Sequence, residues 1–133
     1  MVIAFGSCNV TAPPGPPYSL SRRADPRGLG IGALYALAQR LLRDPHERRP
    51  DLLLLLGDQV YADEVSPAAE QFILTRTGRV RPPGKQVADF EEYTRLYHEA
   101  WGQPLVRWLA STVPSAMIFD DHDLYDDWNT SET

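Results

Sequence analysis

An α/β fold follows from three features of the sequence. Apolar runs of strand length each end in a polar cluster, amphipathic helical stretches separate them, and the central run, Leu52 to Leu56, has no polar alternation. The first run, Val2 to Phe5, is closed by "GSCN", and its β-branched pair Val2 and Ile3 favours a strand. "TAPPGPPYSLSRRADPRG" carries five of the 12 prolines and reads as a long loop, unusual enough inside a domain to suggest a functional one. From Ile31, the positions Leu34, Tyr35, Ala38, Leu41 and Leu42 continue the stripe of an amphipathic helix that Asp44-Pro45 ends. Pro50 and Gly57 bracket the leucines, leaving room for a strand and too little for a helix. Strand, helix, strand makes a βαβ unit, and a strand apolar on both sides predicts a parallel sheet covered by helices on both faces.

Downstream, "RTGRVRPPGK" is a basic, turn-rich loop. Asp89 then caps a helix whose third residue is Glu92, with Phe90, Tyr93, Tyr97 and Trp101 on one face. Pro104 opens a shorter helix bearing Leu105, Trp108 and Leu109, and Pro114 stops it. "SAMIFDDHD" repeats the pattern of an apolar strand ending in acid and is the third strand.

The 133 residues, 43% hydrophobic and 23% charged, have the composition of one soluble globular unit, so residues 1–133 are read as a single domain. A net charge of -5 and a pI near 5.1 argue against a nucleic-acid surface. No apolar run approaches the roughly 18–20 residues of a membrane span, which leaves a small solvated partner. A single cysteine, Cys8, excludes an internal disulfide framework and is either a packed thiol or a ligand. "MVIAFGSCNV" has no basic n-region, so the default location is cytoplasmic, with a secreted parent open if the chain is a piece of a longer one.

The strand ends carry the chemistry. They supply Cys8 and Asn9, then Asp58, Tyr61 and Asp63, then Asp120, Asp121, His122 and Asp123. In an open α/β sheet the carboxyl ends of parallel strands line one edge, where ligands bind. Carboxylates gathered there repel one another and must take up protons or recruit cations, and a thiol, phenol or imidazole nearby suits a transition metal. Each residue alone has a plainer reading: Cys8 as a small buried side chain, Asp58 as a turn or cap, Tyr61 as packing, and "DDHD" as a solvated acidic turn. His46 and His98 are assigned no role.

"FGSCN", "LLLLGDQVYADE" and "FDDHDLYDDWN" resemble, in order and across nearly the whole chain, the N-terminal motif series of the alkaline phosphatase D (PhoD-like) family of calcineurin-like metallophosphoesterases. The resemblance implies a helix-flanked β-sandwich, a bimetallic site of iron with calcium or another divalent ion, and hydrolysis of phosphate mono- or diesters. Carried over by position, it implies Cys8, Asp58, Tyr61 and Asp121 as metal ligands, with Asp58 bridging, and His122 beside the scissile ester. Asn9 and Asp120 are further candidates. The family completes its site with histidines and an acid far downstream, whereas only three histidines occur here and the chain ends in "TSET" after Asn129. The expected structure is therefore the βαβαβ half of a metallophosphoesterase-like sheet.

The expected chemistry is attack of a metal-bound hydroxide on a small phosphate ester, with His122 as general acid. Two alternatives stand beside it: a phosphatase with an aspartate nucleophile, which leaves Cys8 and Tyr61 unexplained, and a truncated metal-binding module without catalysis.

Overall fold

The computed structural model describes residues 1–10, 16–17, 20–21, 23–28, 32–44, 46, 48–78 and 84–127. The predicted helix start at Ile31, parts of the proline-rich loop, the centre of the basic loop and the Asn129 tail lie outside these. Strands β1 (Ile3–Gly6), β2 (Leu52–Leu56) and β3 (Ser115–Ile118) form a parallel sheet in the order β1-β2-β3. Helix α1 (Ala33–Arg43) crosses from β1 to β2, and α2 (Pro67–Thr77), α3 (Phe90–Trp101) and α4 (Pro104–Thr112) lie between β2 and β3. The fold is α/β, and no helix among the described residues is long and apolar enough to cross a membrane.

Each helix starts and stops where its sequence instructs. In α3 the Asp89 carboxylate accepts from Glu92 N at 3.1 Å, while Glu92 reaches back to the amide of Ala88 at 2.8 Å. Proline opens α4, and Asp44 follows α1, whose last turn carries Arg40 and Arg43 to complement its dipole. Helix α2 was not foreseen, although Ser66-Pro67 is a start signal: the Ser66 hydroxyl oxygen accepts from Ala69 N at 3.1 Å, and left-handed Gly78 closes the C-terminus. The same hydroxyl donates to Glu99 at 2.7 Å and ties α2 to α3.

Two core clusters result. Ala38 and Leu41 of α1 and Leu109 of α4 pack on Leu53 and Leu55 of β2. Ala69 and Ile73 of α2 and Leu96 and Ala100 of α3 enclose Val60 and Ala62, just beyond β2. Among the described residues, helices thus cover one face of the sheet rather than the two expected. By register the other face carries Ile3, Phe5, Leu54, Leu56, Ala116 and Ile118, with Phe5 74% and Ile118 63% exposed. Two helix faces also differ from expectation. Leu42 is exposed, and α3 buries Glu92, Leu96 and Ala100 while Phe90 points to solvent, because its long aromatic row lies beside the buried stripe and not on it.

Gly57, where β2 ends, has φ +99, and a Cβ there would overlap the Cβ of Asp120. Gly78 also has a positive φ, of +61, but open space around it. Gly57→Ala should therefore cost more stability than Gly78→Ala in chemical denaturation, beyond the ~1–3 kcal/mol of backbone strain that both share. Equal losses would show that the close approach of the two loops is not a real constraint.

Candidate metal centre

The sheet brings the three strand exits side by side. Cys8 N donates to Gly57 O at 3.3 Å and Asn9 N to Asp58 O at 2.9 Å, lacing the loop after β1 to the loop after β2. Both loops turn through residues that seldom accept a positive φ: Cys8 at 57° and Asp58 at 52°. Beyond Asp58 the chain alternates, with Val60 and Ala62 plugged into the α2–α3 core, while Tyr61 and Asp63 lie on the other side, the Asp63 side chain covered by His122. Ala62 N donates to His122 O at 2.8 Å, which seats the third exit against the second.

Asp123 fixes that third exit. It is 5% exposed; its Oδ1 accepts from Gln59 N at 2.8 Å and Val60 N at 3.0 Å, and its Oδ2 from Asp120 N at 3.0 Å. The sequence groups it with its acidic neighbours, but its carboxylate is consumed by backbone. Residues Asp121–Asp123 form a 3-10 turn in which Asp120 and Asp123 cap reciprocally, the Asp120 carboxylate accepting from the amides of the turn while the Asp121 carboxylate accepts from the Asp127 amide.

Asp58, Asp120 and Asp121 each offer a carboxylate oxygen within 4.8 Å of the others. Asp58 is 6% exposed; its Oδ2 accepts from the Cys8 thiol at 3.3 Å, while its buried Oδ1 has no hydrogen-bond partner. The Asp127 amide donates to Asp121 at 3.1 Å and holds that carboxyl below the usual range. The phenol of Tyr61 is pushed up to about 12 by burial, then by the charge of Asp58 and by the neighbouring Cys8. Cys8 is exposed at this edge rather than packed in a core. A carboxylate that has one buried oxygen without a donor and that gathers with two further acids, a thiol and a phenol is an environment that a cation would relieve and whose donor types suit one.

The structure gathers Cys8, Asp58, Tyr61, Asp120 and Asp121. Asn9 joins through its backbone, whereas its side chain lines a neighbouring cavity. His122 stands beside the group, its ring 4.6 Å from that of Tyr61, and its Nδ1 pairs with Asp63 at 2.9 Å. Asp63 also accepts from Asp126 N at 2.9 Å, and the Asp126 carboxylate lies 3.7 Å from Nε2. Burial pulls the imidazole down, but the hydrogen bond and charge of Asp63, with Asp126 and Asp121, outweigh it and hold His122 above its ordinary value. Sequence reasoning placed Asp63 at the strand end without a role; no local pattern links residues 63 and 122.

The model of the PhoD-like phosphatase family matches residues 33–133, a span holding β2, β3, all four helices and every acidic group above, while Cys8 and β1 precede it. No curated protein and no solved structure matches the chain. The match extends over most of the sequence and takes in the residues around which the site is built, and the chain belongs to the PhoD-like phosphatase family.

Proposed function

We propose that the chain carries part or all of the centre of a metal-dependent phosphate ester hydrolase. Its family is one of phosphatases, and the observation that carries the metal reading is the convergence of Asp58, Asp120 and Asp121, each with a carboxylate oxygen within 4.8 Å of the others, where the buried Oδ1 of Asp58 has no hydrogen-bond partner. Asp58, Asp121, Cys8 and Tyr61 would hold the ions, with Asp120 as a further ligand. Thiol and phenol favour iron, and the carboxylates favour calcium or another hard divalent ion. Bound ions would supply Lewis acidity, drawing charge off the phosphoryl oxygens and acidifying the attacking water.

The chain's own part in the reaction is to orient and to move a proton. Asp63 accepts the Nδ1 proton of His122 and so fixes the ring, leaving Nε2–H as the donor to the departing alkoxide. Asp123 keeps the loops in register while it does so.

Metal analysis of the purified chain is the first test. About two ions per chain are expected, and Asp58→Asn should lose both while its melting curve stays close to the parent's. A loss of about 0.5–2 kcal/mol in stability with metal content unchanged would make Asp58 a turn residue only. If the tyrosine-ligated ion is ferric, a visible absorption band should vanish in Tyr61→Phe.

His122→Ala should slow hydrolysis of an alkyl phosphate by about 10²–10⁴ and of a nitrophenyl phosphate far less, because the better leaving group needs no proton. Equal slowing of both, with metal lost, would make His122 a ligand.

The pairing with Asp63 has its own pH signature. A histidine raised above its unfolded value near 6.5 contributes stability that is fully present below about that pH and lost as pH rises through the folded value. Asp63→Asn should thus lower the His122 titration midpoint seen by NMR and destabilise the chain most at low pH. An unmoved midpoint would dismiss Asp63 as the positioning partner.

A further inference from the structure

Beside the acidic group, a cavity of about 270 Å³ separates β1 from the first turns of α1. Gly6 and Leu55, partners across the β1–β2 ladder, line it from the sheet; Gly32 and Leu37 line it from the helix; Cys8 and Asn9 line the side shared with the acids. Gly32 is the N-cap of α1, a position glycine suits, whereas Gly6 closes β1 with no positive φ to require it. Gly32 has φ -53 and Gly6 is not among the positive-φ residues, and a Cβ on either would meet no atom within 4 Å. Glycine inside a strand sacrifices stability, and where the backbone does not require it, a close approach of something else is the usual reason. Among the described residues the approach is to open space: both glycines are exposed at the rim of a cavity walled by Leu34, Leu37, Leu53 and Leu55.

Resting on the phosphate ester reading of the neighbouring centre, we infer that this cavity is the subsite for a compact apolar substituent of the substrate, an aryl or short branched alkyl group. Gly6 and Gly32 keep it open. Its volume lies just below the about 300–1,000 Å³ of whole-ligand pockets, which suits one substituent and not an entire nucleotide or lipid. Cys8, whose sulfur lies 3.3 Å from Asp58, spans both compartments, so a phosphoryl group at the acids directs its ester substituent into the cavity.

Non-hydrolysable phosphonates test this on the metal-loaded chain. Phenylphosphonate should bind about tenfold or more tighter than methylphosphonate, the discrimination an apolar pocket gives for added hydrocarbon. Gly6→Leu should abolish that preference by filling the cavity, with methylphosphonate affinity unchanged. Gly32→Leu, on the opposite wall, should do the same and guards against a misfolded Gly6 variant. Benzyl alcohol alone should shift the methyl resonances of Leu37 and Leu55 in the wild type and not in the variants, a readout that needs neither metal nor turnover. Equal affinity for the two phosphonates, or a preference that survives both substitutions, overturns the subsite and leaves the phosphate ester reading standing. If benzyl alcohol enters the cavity and neither phosphonate binds, the phosphate ester reading has failed and the subsite assignment falls with it.

Discussion

The carboxylate of Asp123 is the joint on which the site depends. Two backbone amides from the exit of β2 and one from the exit of β3 converge on it, and the Tyr93 hydroxyl donates to its carbonyl oxygen at 3.0 Å, so α3 is fastened to the same point. Amides donating to an ionised, buried acceptor make hydrogen bonds worth roughly 1.5–3 kcal/mol each, about twice the neutral kind. That is enough to fix two loops that share only a short ladder of strand pairing. With Asp123 spent on backbone, Asp120 and Asp121 are carried on a rigid turn to the position where they meet Asp58.

Backbone strain concentrates at the same edge. Gly57, Asp58 and Cys8 all take positive φ, and only the first is a residue for which that is free. Hydrogen bonds between the loops, Cys8 to Gly57 and Asn9 to Asp58, hold the strained turns. The physical sense runs from strand to side chain. Leu53 and Leu55 anchor β2 in the core under α1 and α4, Val60 and Ala62 anchor the continuation under α2 and α3, and the segment between them has no freedom left. Asp58 and Tyr61 are displayed by packing on either side of them.

Much of this was legible in the sequence because it is local. Pro50 and Gly57 delimit the leucine strand, Asp89 and Glu92 announce a helix, and polar clusters after apolar runs mark the edge of a parallel sheet. What was not legible depends on distant partners. The second face of the sheet looked covered because β2 is apolar on both sides, yet sequence cannot say what, if anything, lies over a face. In α3 the aromatic residues share one face, while the buried stripe includes Glu92, an acid that accepts from the Ala88 amide and lies 3.9 Å from the Arg76 guanidinium. Asp120, Asp121 and Asp123 are indistinguishable as letters; the rotation of a single 3-10 turn separates the clamp from the candidate ligands. Asp63 needed His122, 59 residues away, to acquire a role.

The charge balance of the centre explains why its parts are arranged as they are. Two ionised carboxylates about 4 Å apart repel by about 4 kcal/mol at an effective dielectric near 20, and three of them converge here. Asp121 has an amide to offset its charge and Asp120 accepts from the Asp121 amide at 3.0 Å, but the inner oxygen of Asp58 has none. Burial and then the charge of Asp58 push the Tyr61 phenol up to about 12, so in the protein alone the ring stays neutral and adds no fourth negative charge. A cation inverts each of these relations at once: the repulsion becomes ligation, the orphan oxygen acquires a partner, and the phenol is drawn toward ionisation. One buried carboxylate, held by a turn of positive φ, is thereby left with a charge that a cation at this edge of the sheet would offset.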